Sequence, residues 1–245
     1  MDTQKDFSEL VLHKGCYSKE ENLRIYNKFF KNAPRYLFRA VDKKYNITKK
    51  ILCDVGCSYG TNLLYCSEGS YGIEVIPGYA SFARSLGLNV YQRNAVADSL
   101  ADLPKVEVIW CSALLEHVDS PHVLLRRMHN MLGPDGLICV YVPTISWLAF
   151  LRKMPVIGKR FSGYIHADHI NAFSAKTLRF TCERAGFETC EVSPFYPPPL
   201  NFLNFIPLID GIVYIGKKIE NWDYPKNSAR KAAENSVGYA SLERR

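Results

Sequence analysis

Short apolar runs alternate with helical segments along residues 50–142, and this alternation limits the possible folds more than any other feature. Strands that alternate with helices form a parallel sheet with right-handed crossovers. The sequence therefore predicts an α/β fold: a Rossmann-like seven-stranded, mostly parallel sheet with an antiparallel seventh strand and helices on both faces. We expect strands at 50–55, 71–75, 89–92, 106–111, 137–142, 187–192 and 211–219, and helices at 61–67, 77–86, 123–132 and 173–185, with a turn at 133–136.

The composition excludes several classes of protein. The longest apolar stretch, residues 197–216, is interrupted by Asp210 and by prolines, whereas a membrane-spanning helix needs about twenty apolar residues. The N-terminus is polar and does not resemble a signal peptide, so we expect a cytoplasmic protein. None of the eight cysteines forms a C-x-x-C pair, which favours reduced, mostly buried thiols over a zinc site.

The net charge of +7 is unevenly distributed. Residues 1–50 contain twelve basic and six acidic residues, residues 51–150 contain five and nine, and residues 151–185 contain seven and two. If the basic flanks cover the substrate side, they favour an anionic substrate, although the same charges serve solubility equally well. The chain has no dense basic run with interleaved aromatics, so we expect no nucleic-acid partner.

The domain organisation follows from changes in this pattern. We predict an N-terminal helical cap over residues 1–47, a main domain over 48–219 and a polar tail over 220–245. Residues 144–170 form an aromatic and basic insertion within the main domain. This insertion is predicted to be a lid over a substrate pocket; peripheral contact with an anionic membrane surface and packing on the sheet edge remain alternatives.

The first predicted strand ends in a loop suited to holding a ligand. Ligands of doubly wound sheets bind at the carboxyl ends of the strands. Gly56 and Gly60 allow this loop to turn sharply and to approach a ligand closely. Glu74, at the end of the second strand, could accept hydrogen bonds from ribose hydroxyls. A nicotinamide-binding domain is the alternative, but its G-x-G-x-x-G spacing is missing.

Five segments in order resemble the motifs of class I S-adenosylmethionine-dependent methyltransferases, and in particular the type-11 methyltransferase family. The resemblance covers about residues 48–145. The run Asp168-His169-Ile170-Asn171-Ala172-Phe173-Ser174 also resembles this family's link into the helix before the sixth strand. The five segments are Asp54-Val55-Gly56-Cys57-Ser58-Tyr59-Gly60-Thr61, Gly72-Ile73-Glu74, Asn94-Ala95, Cys111-Ser112-Ala113-Leu114-Leu115-Glu116-His117-Val118 and Leu132-Gly133-Pro134-Asp135-Gly136-Leu137.

The resemblance implies S-adenosyl-L-methionine as the cofactor and a role for each matching residue. Asp54 would lie near the methionine amino group and Glu74 would hold the ribose. Asn94 stands where the family usually has Asp, and its amide oxygen could still accept a hydrogen bond from the adenine amine. Together the expected cofactor-binding residues are Asp54, Gly56, Cys57, Gly60, Glu74, Val75, Asn94, Ala95, Cys111 and Leu114.

Two histidines are candidates for a general base, which would assist transfer to a hydroxyl group. His117 follows the fourth strand at the carboxyl end of the sheet, and His169 belongs to the cluster His166-Ala167-Asp168-His169. Alternatively, Asp168 and His169 only cap or anchor the next helix. A metal site made of His166, Asp168 and His169 is an alternative, but its ligands would all come from one loop, and we expect no metal. His13, His122 and His129 are expected at the surface.

These features predict a methyltransferase, with oxygen of a small or medium acceptor as the expected target. A sugar or glycan precursor, a lipid-linked quinone-type compound and another secondary metabolite all fit. N- or C-methylation and a non-catalytic S-adenosylmethionine-binding scaffold or regulatory protein remain alternatives. The acceptor would be contacted by the variable regions, which are residues 1–47, 144–170 and 196–210.

Overall fold

A seven-stranded sheet forms the centre of the molecule. The computed structural model describes residues 6–143, 168–195 and 211–222. The strand order is β3-β2-β1-β4-β5-β7-β6, and β7 is antiparallel to both of its neighbours, so the predicted fold class is confirmed. The strands are β1 (Leu52–Val55), β2 (Tyr71–Glu74), β3 (Val90–Gln92), β4 (Val106–Ser112), β5 (Leu132–Pro143), β6 (Phe187–Phe195) and β7 (Gly211–Lys218).

Helices cover both faces of the sheet. Helices α5 and α6 pack on one face, α3 and α4 pack on the other, and α1 and α2 pack against α4. Since α3 buries Leu37, Phe38 and Val41 against the sheet, the predicted cap contributes directly to the main core. The helices are α1 (Ser8–Lys14), α2 (Lys19–Ile25), α3 (Tyr36–Tyr45), α4 (Pro77–Ser85), α5 (Pro121–Met131) and α6 (Ala175–Arg184), and a π-helical turn, Tyr26–Phe30, follows α2.

The start of α6 decides one of the alternatives for the histidine cluster. The hydroxyl of Ser174 accepts a hydrogen bond from the backbone N–H of Thr177, and the Thr177 hydroxyl accepts one from the N–H of Ser174. This reciprocal capping box satisfies the first turn of the helix. Asp168 and His169 therefore do not cap α6.

The predicted helix at 61–67 is wrong. A 3-10 turn, Leu63–Tyr65, takes its place and ends at Cys66. Few residues separate the glycine loop at 56–60 from β2, and hydrogen bonds to distant residues fix the conformation of segment 61–67. The Tyr65 hydroxyl donates to the carbonyl oxygen of Ala33, and the Ser67 hydroxyl donates to that of Lys50. These contacts favour a short return to β2 over a regular helix.

Residues 133–136 do not separate a helix from a strand as predicted. They lie inside β5, where the register against β4 shifts between Val106 and Val108. Asp135 adopts φ of 56° in this irregular stretch. The glycines and the proline at 133–136 thus lie in an irregular part of the strand, where β5 has more residues than the part of β4 that it faces.

The prediction that His129 lies at the surface is also wrong. His129 is buried, its Nε2 lies 3.0 Å from the carbonyl oxygen of Ile219, and its ring packs on Phe187. Burial lowers the pKa of His129, which keeps the ring neutral. The cysteines match the prediction, because all eight are free and five of them are buried. Within the described ranges no helix is long and apolar enough to cross a membrane.

Candidate active site

A cavity of about 590 Å³ opens at the carboxyl ends of β1 to β4. This is the edge of the sheet where ligands of doubly wound folds bind. Six of the predicted cofactor residues line the cavity, together with the candidate base His117, with Asp168 of the histidine cluster, and with residues that the sequence analysis did not select. The predicted residues are Gly56, Glu74, Val75, Asn94, Ala95 and Leu114; the others include Ser58, Ile76, Tyr79, Arg93, Ala113, His117, Asp119 and Asp168.

Glu74 fixes the loop that forms the floor of the cavity. One carboxylate oxygen accepts a hydrogen bond of 2.7 Å from the backbone N–H of Ser58, and the other accepts one of 2.9 Å from that of Ile76. Ser58 has a φ of 51° and Gly56 a φ of 80°, so the loop runs through left-handed conformations. Each carboxylate oxygen has a second lone pair, and Glu74 can therefore shape the loop and still accept from a ligand hydroxyl.

Asp54 is almost fully buried behind this loop. The side-chain amide of Asn62 donates to its carboxylate at 3.3 Å. Burial raises the pKa of Asp54 to about 7; the bond from Asn62 opposes this shift and the charge of Glu74 adds to it. Two neighbouring carboxylates with little compensating positive charge suit a cationic ligand group such as an ammonium.

The pKa of Asp54 predicts a pH dependence of stability without ligand. Because the folded protein holds this proton more tightly than the unfolded chain, its free energy of unfolding falls as pH rises from about 4 to about 7, by at most ~4 kcal/mol. Asp54→Asn should remove this slope and raise stability at pH 8. Urea unfolding at pH 5, 6, 7 and 8 measures it. The exposed Asp135→Asn is the control, and parallel profiles for wild type and Asp54→Asn would contradict the assignment.

Asn94 does not have the role that the resemblance implied. Its side-chain oxygen accepts hydrogen bonds from the backbone N–H groups of Val96 and Ala97, at 2.9 and 3.1 Å. Both lone pairs are therefore used to close the turn after β3. Asn94 lines the cavity, but its oxygen is not available to an adenine amine, so its contribution is to shape this wall.

Three predicted cofactor residues lie away from the cavity surface. Cys57 is buried, and its sulfur occupies the space beside Gly72 on β2. Cys111 is fully buried in the core below the site. Gly60 packs closely on α4 and on Leu88. These residues hold the loop and the strands in place. The sequence motif alone does not distinguish residues that support the loop from residues that contact the ligand.

The two loop glycines should therefore respond differently to alanine. Both have positive φ and share the backbone strain, which is about 1–2 kcal/mol. A Cβ at Gly60 would lie 2.5 Å from Leu88 Cδ1, whereas one at Gly56 would meet only Leu114, at 3.4 Å. We expect Gly60→Ala to lower Tm by several degrees more than Gly56→Ala, and Gly56→Ala to weaken cofactor binding more. Thermal melts and isothermal titration calorimetry test both halves; the reverse order would contradict this arrangement.

His117 lies at the wall of the cavity on a 3-10 turn, Leu115–His117, that follows β4. Its Nδ1 is 3.1 Å from the carbonyl oxygen of Asp168 and 3.5 Å from the Asp168 carboxylate. His169 packs edge-on against His117, with ring centroids 4.7 Å apart. The structure therefore brings together the two predicted histidines and Asp168. His166 and most of the predicted lid lie outside the described residues.

Glu116 also belongs to this cluster, although the sequence analysis did not select it. Its side chain is 2% exposed, and one carboxylate oxygen lies 3.8 Å from Nε2 of His117. Burial raises the pKa of Glu116. The other oxygen is buried without a hydrogen-bond partner among the described residues. An acidic residue inside an otherwise apolar motif was the available signal.

The charge of the described cavity wall differs from the expected preference for an anion. Glu74, Asp119 and Asp168 line it, and Arg93 is the described basic residue among its lining. Arg93 forms a bidentate ion pair with Asp102, at 2.6 and 2.7 Å, so its charge is already compensated. The described wall therefore favours a cation, and an anionic acceptor would need charges from elsewhere.

Comparison with known proteins agrees with this geometry. Residues 26–192 match a family model described as "Methyltransferase domain". A "Ubiquinone biosynthesis O-methyltransferase" from Glaesserella parasuis is 27% identical over 65% of this chain and 74% of its own length. Other relatives of that name are matched over about half their length. A "tRNA U34 carboxymethyltransferase" from Campylobacter lari is 28% identical over 61% of this chain and 56% of its own.

The fold is shared with solved structures. An S-adenosylmethionine-dependent methyltransferase from Mesorhizobium loti superposes with a TM-score of 0.58 at 15% identity, covering 74% of this chain and 96% of that one. The family model matches more than half of the chain, and the sheet order and the cavity are those expected from the motifs. The chain therefore belongs to the class I S-adenosylmethionine-dependent methyltransferases.

Proposed function

We propose that this enzyme methylates an oxygen atom of a small acceptor, using S-adenosyl-L-methionine as the methyl donor. A phenolic or quinone-type compound, a sugar precursor and another secondary metabolite with a reactive hydroxyl are the acceptor classes considered. The observation that carries the proposal is that His117 lines the cavity and that its Nδ1 contacts Asp168, which fixes the ring. The name of the O-methyltransferase relative supports it.

The residues present fit the cofactor. Gly56 leaves the floor of the cavity without a Cβ, and Asp54 and Glu74 supply carboxylates for the ammonium and the ribose hydroxyls. Val75, Ala95 and Leu114 provide apolar wall for the purine and the methionine chain. When bound, S-adenosylmethionine supplies a methyl group already activated by its sulfonium, so the protein has mainly to orient the acceptor and exclude water.

His117 is proposed to take the proton from the acceptor hydroxyl. The carbonyl oxygen of Asp168 can only accept a hydrogen bond, so Nδ1 of the neutral ring carries the proton and Nε2 keeps its lone pair. Nε2 is then free to act as the base. His169 packs on the ring of His117 and is proposed to fix its orientation. A hydroxyl acceptor benefits from a general base, and His117 is an oriented imidazole at the cavity wall. Its presence therefore favours a hydroxyl over acceptors that need no base.

An acceptor screen tests the proposal. S-adenosylhomocysteine release is followed with matched uncharged hydroxyl and amino compounds, for example 1,2-dihydroxybenzene against 1,2-diaminobenzene, with simple glycosides as a third group. We expect release with one or more of the hydroxyl compounds. Release with amino compounds alone would overturn the choice of oxygen and favour N-methylation.

A further inference from the structure

The cluster beside the cavity has the composition of a metal site. One ligand atom each from Glu116, His117 and His169 lies within 4.8 Å of the others. Two imidazole nitrogens and one carboxylate form a ligand set used by catalytic zinc and non-haem iron sites. The sequence led us to expect no metal, because it pointed only to His166, Asp168 and His169. Glu116 comes from a different part of the chain and joins this cluster only in the fold.

Glu116 provides an independent reason to consider a ligand here. Its carboxylate is almost fully buried, and one oxygen has no hydrogen-bond partner among the described residues. A buried acceptor without a partner destabilises the fold, and a charged one does so more strongly. A cation bound between Glu116 and the histidines would compensate the charge of this buried carboxylate, and would engage the unpartnered oxygen if the carboxylate bound it through both oxygens.

The surroundings of His117 match those of metal ligands. A ligating histidine usually donates its second N–H to a carbonyl or carboxylate group, which fixes the ring and its tautomer. The Nδ1 of His117 has both kinds of partner in Asp168, at 3.1 and 3.5 Å. Its Nε2 faces Glu116 at 3.8 Å, and tetrahedral zinc ligands lie roughly 3.4 Å apart. Small side-chain rotations would close this difference.

The backbone holds the two segments of the cluster in register. The N–H groups of Ile170 and Asn171 both donate to the carbonyl oxygen of Glu116, at 2.9 and 3.0 Å. The side-chain amide of Asn171 donates to the carbonyl oxygens of Leu115 and Val118. The segment that carries His169 is thereby fastened to the turn that carries Glu116 and His117, and the site needs no large rearrangement to form.

We propose that Glu116, His117 and His169 bind a divalent transition-metal ion such as Zn²⁺ or Fe²⁺, with an open coordination position toward the cavity. Three protein ligands and an open position are typical of catalytic rather than structural sites. Building on the proposed O-methylation, the ion would bind the acceptor oxygen and lower the pKa of its hydroxyl. The O–H bond breaks, its electron pair stays on oxygen, the proton passes to solvent, and the ion keeps its oxidation state.

Metal binding and the base role of His117 use the same nitrogen. When the ion is bound, Nε2 of His117 is a ligand, so activation of the acceptor passes from the imidazole to the ion. The substrate class that follows is an acceptor whose oxygen can coordinate a metal, such as a phenol with a neighbouring hydroxyl. This narrows the acceptors of the proposed function to chelating oxygen compounds.

Titration of the full chain with Co²⁺ alone tests the site without any acceptor. We expect one Co²⁺ per chain, visible d–d bands of nitrogen and oxygen ligation, and displacement by Zn²⁺. His169→Ala and Glu116→Gln should each raise the Kd for Co²⁺ at least about 10–100-fold, the loss typical even of an outer-shell partner. His13→Ala, at an exposed histidine, is the matched control and should bind normally. Retained binding of S-adenosylhomocysteine shows that each variant is folded.

Several outcomes would overturn the metal proposal. These are no stoichiometric binding, binding that His169→Ala and a folded Glu116→Gln leave unchanged, and thiolate charge-transfer bands that place Co²⁺ on cysteines. If Glu116→Gln does not fold, His169→Ala alone decides the result. Hydroxyl methylation without metal binding would contradict the metal site and leave the proposed O-methylation intact. Metal binding without any hydroxyl methylation would contradict the proposed O-methylation and leave the metal site intact.

Discussion

His117→Ala is expected to lower turnover about 10²–10⁴-fold while the Kd for S-adenosylmethionine changes by less than about 3-fold. The reason is that His117 lines the cavity and is proposed to act on the acceptor, whereas the residues proposed to hold the ammonium and the ribose, Asp54 and Glu74, lie on β1 and β2. His169→Ala should have a smaller effect if it only orients the first ring. Single-turnover methyl transfer and calorimetric binding separate the two quantities.

A matched control and a rescue experiment sharpen this result. His13→Ala removes an exposed imidazole outside the described cavity lining and should keep full turnover. Added imidazole should partly restore the rate of His117→Ala, because it can enter the space left by the side chain. If His117→Ala and His169→Ala both retain wild-type turnover, this cluster does not activate the acceptor.

Glu74→Gln is expected to weaken cofactor binding about 100-fold or more. Each hydrogen bond to a charged group contributes about 1.5–3 kcal/mol, and the ribose offers two hydroxyls. In the wild type the carboxylate accepts hydrogen bonds from the backbone N–H groups of Ser58 and Ile76. The side-chain NH₂ of Gln can only donate, so one of these two N–H groups would lose its acceptor. The loop and the ligand contacts therefore weaken together.

Glu107→Gln is the matched control for this change. Glu107 also accepts a hydrogen bond from a backbone N–H, that of Ile51 at 2.9 Å, but it lies at the start of β4, outside the described cavity lining. The Glu107→Gln variant should bind S-adenosylhomocysteine with the affinity of the wild type. Equal affinities for Glu74→Gln and wild type in calorimetry would show that Glu74 does not contact the cofactor.

The fold could be predicted because its signals are local. Buried strands such as 106–111 are short apolar runs, and Ser174 with Thr177 places the start of α6. Segment 61–67 could not be predicted, since contacts of Tyr65 and Ser67 with residues 33 and 50 set its shape. His129 was misplaced for a similar reason, as its partner Ile219 lies 90 residues away.

The site was predicted in part. Motif residues such as Gly56 and Glu74 line the cavity, as expected from their place after a strand. The motif did not reveal that Cys57 and Cys111 face the core or that the Asn94 oxygen closes its own turn. Ala113, with φ of 53°, carries no signal in the sequence. Glu116 lies near His169 because backbone hydrogen bonds join two segments that are distant in the sequence.

The most direct test of the proposed O-methylation identifies the atom that receives the methyl group. The enzyme is incubated with S-adenosylmethionine labelled with ¹³C at the methyl group and with the acceptor that gives release in the screen. Carbon–proton correlation NMR of the product then locates the label. We expect a methyl group bonded to oxygen, formed by wild type and almost absent with His117→Ala. A label on nitrogen or carbon, or equal O-methylation by the variant, would contradict it.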